Sequence, residues 1–340
     1  MSELFSPFKT ANVEIRNRIV TPPMATEKSD PVGMISDASV DDYRRMARAG
    51  MGLLIVEHNF IDESGRVSPR QMSIARDECV PGHRRLASAI QEAGVSVALQ
   101  INHSGSNRLD PFRSQAFGAS SIAHPTSGVT PTALDIRGIA AIVGSFGWAA
   151  ARGRQAGYDL IEIHCAHGYL LSQFLSPLTN RRRDRYGGGI AGRMRFLLEV
   201  IEEVKAATGG EYPLMVRLGL ADNPPGKTLF PGGLDAADGL QVALALEKAG
   251  IAILDLSGGL CGSRPAGVNG EAYYLPLAQA ARKAVRLPLL TTGGITHVDT
   301  ARKIIEDGTA DFVGVGRALV ADPDWIAKAR KAQETSTSNR

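Results

Sequence analysis

The stretch Gln155–His164, QAGYDLIEIH, decides the fold. Its Ala-Gly pair sits where a helix has to stop, because glycine takes the left-handed conformation that a helix C-terminus needs. The run that follows is too apolar for a one-sided sheet, and short runs buried on both faces are what parallel strands require. The phrase recurs as RAGMGLLIVE (48–57), EAGVSVALQ (92–100) and KAGIAILDLS (248–257), with a looser copy, EDGTADFVGVG, at 306–316.

Adding RIVTPP from Arg18, LMVRLG from Leu214 and LPLLTTGG from Leu287 brings the count to eight strands. Helical patterns such as MRFLLEVIEEVKAAT and VDTARKIIED lie between them. Alternation of this kind along one chain predicts an α/β fold, a (β/α)8 TIM barrel. A doubly wound sheet is the competing fold, but no Gly-x-Gly-x-x-Gly follows the first strand. The opening LFSPFKTANVEIRNRIV reads as an N-terminal β-hairpin closing the barrel bottom. Long βα loops are expected over the active site, with residues 104–136 as a lid or binding loop. The expected organisation is a single domain over 1–332 and a disordered tail over 333–340.

Composition narrows the function. Of 340 residues 44% are hydrophobic, enough for a large core, and the net charge is only +3. No basic run is interleaved with aromatics, so no nucleic-acid partner is expected. No long apolar run exists, so no membrane span is expected either. Cys79, Cys165 and Cys261 are far apart and suit a reducing compartment, which makes a cytoplasmic enzyme the plain reading.

In such a barrel the chemistry belongs at the C-terminal ends of the strands. Those ends carry Pro23, Met24, Ala25 and Thr26, then Glu57 and His58, Gln100, His164, His167 and Tyr169, Arg217, Gly293 and Gly294, and Gly316 and Arg317. No carboxylate cluster stands among them, which disfavours a Mg²⁺ site, and no lysine, which disfavours Schiff-base chemistry. The turns TTGGI and GVGRAL follow strands seven and eight, where barrels often bind phosphate. Gln100 can donate and accept at once, as an imide edge requires, and Arg217 can hold developing negative charge. A phosphate-tailed, electron-accepting cofactor such as FMN fits this set.

His164 and His167 could hold a metal, fill space, or grip a substrate oxygen. Three residues apart on a strand they would face opposite sides, so the chain has to leave the strand near Cys165, and Gly168 marks the break. No Asp or Glu backs the other strand-end histidines at metal spacing, which favours the oxygen-gripping reading, with Tyr169 near enough to donate a proton.

The motifs IRNRIV (15–20), PPMAT (22–26), LQINHSG (99–105), MVRL (215–218), TTGGI and GVGRALVADPDW (314–325) span the chain. With the long run AGYDLIEIHCAHGYLLSQFLSPLTNRRRDRYGG (156–188), they make it resemble the Old Yellow Enzyme family of FMN-dependent ene-reductases. It is most similar to the bacterial branch that includes the barrel domains of 2,4-dienoyl-CoA reductases. The resemblance implies that Pro23, Met24, Ala25 and His58 line FMN, that Gln100 and Arg217 meet its pyrimidine ring, and that Gly293, Gly294, Gly316 and Arg317 hold its phosphate. It implies that His164 and His167 bind a carbonyl oxygen, with Thr26 also at the substrate, and that Tyr169 is the proton donor. The implied reaction is ping-pong, with NADH or NADPH as electron donor and a small-molecule enone or enoate as acceptor. A homo-oligomer is compatible with it.

This chain departs from the family pattern at Ala25, where many relatives have Cys or Thr, and at Glu27 and 188–193. It shows no cysteine cluster, so no iron–sulfur centre is expected. Two other readings stand beside the ene-reductase: an amine dehydrogenase or desaturase on the same flavin barrel, and a flavin-free sugar-phosphate isomerase or aldolase.

Overall fold

Eight parallel strands close into a barrel in a computed structural model that describes residues 3–10, 13–108 and 115–338. The strands are β1 (Ile19–Thr21), β2 (Leu53–Phe60), β3 (Ser96–Asn102), β4 (Leu160–Cys165), β5 (Leu214–Gly219), β6 (Ile253–Ser257), β7 (Leu289–Thr291) and β8 (Phe312–Gly314). Each pairs with its neighbour in sequence, and β8 pairs with β1. The principal helices that follow them are α1 (Asp37–Ala47), α2 (Val80–Gln91), α3 (Ile136–Gln155), α4 (Arg195–Thr208), α5 (Ala236–Lys248), α6 (Leu275–Ala284), α7 (Val298–Glu306) and α8 (Arg317–Ala321). The glycines of the repeated phrase, Gly50, Gly94, Gly157, Gly250 and Gly308, all have positive φ between 67° and 95°. They are the helix stops from which each strand begins.

Alternate residues along each strand face opposite ways. Outward residues such as Ile161, Ile163, Val216 and Leu254 join the large core between sheet and helices. Inward residues Val20, Leu53, Ile55, Ala98, Leu160, Met215, Ile253, Leu290 and Phe312 fill the lower barrel. The hairpin of Phe8–Thr10 and Val13–Ile15 seals that end. Phe8 meets Phe312 edge-on at 4.9 Å, and Ile15 is wholly buried against the same cluster.

Two expectations need correction. The tail expected to be disordered from 333 is helical to Ser338, as the end of the helix Trp325–Ser338. Extending an existing helix costs far less than nucleating one, and Ser and Thr are only mildly unfavourable inside it. The segment 104–136 contributes no described residue to the wall of the main cavity and braces it from behind; residues 109–114 of it lie outside the described part. Asn107 donates to the His167 carbonyl at 2.8 Å and His124 Nε2 bonds the Gly168 carbonyl at 3.0 Å. The basic run 180–185 is structural as well: Arg182 donates to the carbonyls of Ala119 and Leu134 and pairs with Asp184. No described helix is long and apolar enough to cross a membrane.

Candidate active site

A cavity of about 790 Å³ opens at the C-terminal ends of the strands, within the usual range for a small-molecule site. Pro23, Met24, Ala25, His58, Gln100, His164, His167, Tyr169, Arg217, Gly293, Gly294, Gly316 and Arg317 all line it. Thr26 does not: its N–H and hydroxyl both donate to the Glu57 carboxylate, at 2.9 and 2.5 Å, which pins the Pro22–Thr26 segment to β2. Burial lifts Glu57 to about 7 although these bonds oppose the shift.

β4 ends at Cys165, and His167 itself then takes a left-handed φ of 56°, followed by Gly168 at 70°. Such a φ is uncommon for a non-glycine residue and costs about 1–3 kcal/mol. Three hydrogen bonds hold it. The His167 N–H donates to the Gly258 carbonyl at 2.9 Å, its carbonyl accepts from Asn107, and its Nε2 meets Ser257 Oγ at 2.7 Å. The turn swings the His167 ring back to 4.8 Å from the His164 ring. The break expected at Gly168 thus begins one residue earlier.

His164 Nδ1 accepts from the Ala166 N–H at 3.2 Å, so the ring proton of a neutral His164 is on Nε2. Nε2 of His167 shares a hydrogen bond with Ser257 Oγ, and where the hydroxyl is the donor the proton of that ring is on Nδ1. Both histidines are held well below their ordinary pKa, first by burial and then by charge repulsion, with His167 and Arg217 disfavouring a charged His164 and Arg217 a charged His167. Two neutral rings with N–H on His164 Nε2 and His167 Nδ1 would make a donor pair. Tyr169 caps the short helix Leu170–Leu175 and stacks edge-on to His164 at 4.9 Å. Burial raises its phenol to about 12, so it keeps its proton at neutral pH. His58, lowered to about 4 by burial, accepts from Gln71 Nε2 at 2.6 Å.

Beneath the cavity floor lies a layer that the strand-end reading passed over. Glu162 on β4 and Asp255 on β6 are both wholly buried inside the barrel. Gln100 Nε2 donates to Glu162 Oε2 at 2.6 Å, and Arg217 Nε stands 3.2 Å from Asp255 Oδ2. The signal was in the sequence: each carboxylate sits two residues before a strand-end residue that faces the mouth, so it points the same way.

On the far side, Gly293 and Gly294 turn at φ 113° and 75° against the ring of Tyr273. A Cβ on Gly294 would come within 2.7 Å of the Gly270 carbonyl, and one on Gly316 would reach Met24 Sδ at 3.0 Å. Arg317 Nη2 meets Tyr273 Oη at 3.4 Å. The loop after β6 supplies Ser263, Arg264, Glu271 and Tyr273 to the same wall, while Cys261, Ala272 and Tyr274 are buried in the core.

The residues fit FMN. Gln100 turns its donor nitrogen inward and so offers its oxygen to an imide N–H. Arg217 supplies a fixed cation beside it, and the side-chain-free turns at Gly293–Gly294 and Gly316 leave backbone at the wall where a phosphate would approach. FMN held there would rest on Met24 and Ala25.

Comparison with known proteins agrees. Residues 3–336 match the NADH:flavin oxidoreductase / NADH oxidase family. An NADH oxidase of Thermoanaerobacter brockii is 38% identical over 338 residues, covering 97% of this chain and 51% of its own length. An NADPH dehydrogenase of Bacillus subtilis (strain 168) is 33% identical over 334 residues, covering 98% of this chain and 96% of its own. The chain thus spans about half the length of the first relative and nearly all of the second. Morphinone reductase, solved in complex with tetrahydroNAD, superposes with a TM-score of 0.82 at 27% identity, over 98% of this chain and 91% of that one. Site geometry, sequence and fold therefore converge: this chain belongs to the NADH:flavin oxidoreductase / NADH oxidase family, of Old Yellow Enzyme type, with FMN as its cofactor.

Proposed function

We propose that this barrel is an ene-reductase that reduces the activated C=C bond of α,β-unsaturated carbonyl compounds at the expense of NADH or NADPH. One observation carries the reading: the rings of His164, His167 and Tyr169 converge on one side of a cavity suited to FMN. FMN bound there would supply the two-electron chemistry that links oxidation of the nicotinamide to reduction of the acceptor's double bond.

The chain's own residues do the rest. His164 and His167 grip the carbonyl oxygen, and their N–H groups are stronger partners for the enolate-like oxygen of the transition state than for the ketone. Tyr169 holds the proton that the α-carbon takes, which completes the addition of H⁻ and H⁺ across the double bond. Its raised pKa keeps it loaded at neutral pH, and Glu57 keeps the Pro22–Thr26 segment still under the cofactor. The chain's similarity to an NADPH dehydrogenase and to morphinone reductase supports this reading. Membership of a flavin family argues against the flavin-free isomerase. A cytoplasmic location belongs to the proposal, and the three cysteines, all buried and none in a disulfide, suit it.

The test is direct. The purified protein is expected to be yellow, to bleach anaerobically on adding NADH or NADPH, and to recover its colour on adding 2-cyclohexenone. A bleached protein that no enone, enoate or nitroalkene re-oxidises would overturn the ene-reductase reading.

A further inference from the structure

The carboxyl layer under the cavity poses a counting problem. Glu162 and Asp255 are both at 0% exposure, and Arg217 is the cation placed against them. Glu162 Oε1, both oxygens of Asp255 and Arg217 Nε have no conventional hydrogen-bond partner. Buried polar groups are as a rule paired, and an uncompensated buried charge is costly. The two carboxyl groups come from β4 and β6, alternate strands that feed one layer of the barrel, and they approach each other closely enough to hydrogen-bond. A donor for that contact exists only when one of them carries a proton.

We propose that Glu162 and Asp255 hold one proton between them and serve as positioning residues for FMN. The proton sits on Glu162 Oε1 and is donated to the Asp255 carboxylate, which in turn neutralises Arg217. The other oxygen of Glu162, Oε2, accepts from Gln100 Nε2 and fixes which way that amide points. One proton thus gives Glu162 Oε1 and one Asp255 oxygen a hydrogen bond, leaves Arg217 Nε to its ion pair with Asp255 Oδ2, and brings the net charge of the layer to zero. Burial, and then the neighbouring Asp255, push Glu162 well above the ordinary carboxylate range, while Arg217 restrains the rise at Asp255. The other titratable groups facing the layer are His164, in register with Arg217 on β4, and then His58 and His167, all three held neutral by burial.

The consequence is a division of labour. Gln100 is locked as an acceptor toward the cavity, and Arg217 presents a partly compensated charge to the cofactor. This inference rests on FMN occupying the cavity, but its first test does not. An infrared difference spectrum of the parent minus Glu162→Gln at pH 7 is expected to show the C=O stretch of a protonated carboxylic acid. Carboxylate bands in its place would overturn the shared proton.

The second test is the reduction potential of bound FMN, read as the ratio of affinities for reduced and oxidised cofactor. Glu162→Gln replaces a neutral group by a neutral one and is expected to change that ratio less than twofold. Asp255→Asn strips Arg217 of its counterion and is expected to raise the ratio at least tenfold, about 30 mV for a two-electron couple. Equal shifts in both variants would show two ionised carboxylates and overturn the proposal. If Asp255→Asn does not fold, the Glu162→Gln potential and the difference spectrum still decide. The acid band in a protein that takes up no FMN would sink the proposed function and the positioning role and keep the shared proton. FMN-loaded protein without the band would sink this inference alone.

Discussion

The two halves of the barrel interior are built on the same strands and the same inward-facing positions, yet they do opposite things. On β3, β4, β5 and β6 the lower residues are Ala98, Leu160, Met215 and Ile253, and two residues further along stand Gln100, Glu162, Arg217 and Asp255. The lower set packs on Phe312 and the hairpin and contributes stability by burial. The upper set puts two carboxyl groups, a guanidinium and an amide where hydrocarbon would pack better. Burying such groups is at best neutral for stability. The comparison teaches that a shift of one inward layer is where this fold stops being a scaffold and becomes a site.

The largest expected effect breaks the lower half alone. Phe312→Ala empties the floor of the barrel and is expected to cost about 3–5 kcal/mol in urea unfolding, while the folded fraction still takes up FMN. Loss of FMN from a protein of unchanged stability would reverse the assignment of the two halves.

Acid should act next. His58, His83, His103 and His124 are each lowered to about 4, mainly by burial. Between about 4 and 6.5 the folded chain binds fewer protons than the unfolded one, so stability rises with pH through that window and is lost as pH falls. Glu57, raised to about 7, works the other way, because its proton favours the folded state and that contribution fades from 4.5 to 7. Six lowered histidines, His164 and His167 included, against four raised carboxyl groups, Glu57, Glu162, Asp222 and Asp255, predict net acid lability, measured by denaturant midpoints at pH 4.5 and 6.5. Glu57→Gln should steepen the rise.

At the upper rim the effects become functional. Gly294→Ala places a Cβ 2.7 Å from the Gly270 carbonyl at a φ of 75°, and it is expected to weaken FMN binding at least tenfold in a fluorescence titration. Ser257→Ala removes the hydroxyl at His167 Nε2, a bond worth about 1 kcal/mol. It is expected to raise the KM for an enone about fivefold and leave the rate of reduction by NADPH within twofold.

Much of this was legible in the sequence because it follows from local rules. The Ala-Gly helix stops and two-sided apolar runs announce eight strands, and strand ends announce the cavity wall, down to His164, Arg217 and Gly294. Three features escaped because they depend on contacts distant in sequence. Glu162 and Asp255 become partners only when β4 and β6 close on β5. Thr26 turns from the cavity because Glu57, 31 residues away, takes both of its donors. The segment 104–136 has the composition of a lid, yet its described residues brace the backbone of His167 and Gly168.

The central claim is that Tyr169 delivers a proton to an acceptor held by His164 and His167. Stopped-flow measurement of the two half-reactions in Tyr169→Phe tests it most directly. The oxidative half-reaction with 2-cyclohexenone is predicted to slow by about 10²-fold or more, as expected for loss of a general acid. Reduction of the enzyme by NADPH is predicted to change less than twofold. Equal slowing of both half-reactions, or of neither, would contradict the account.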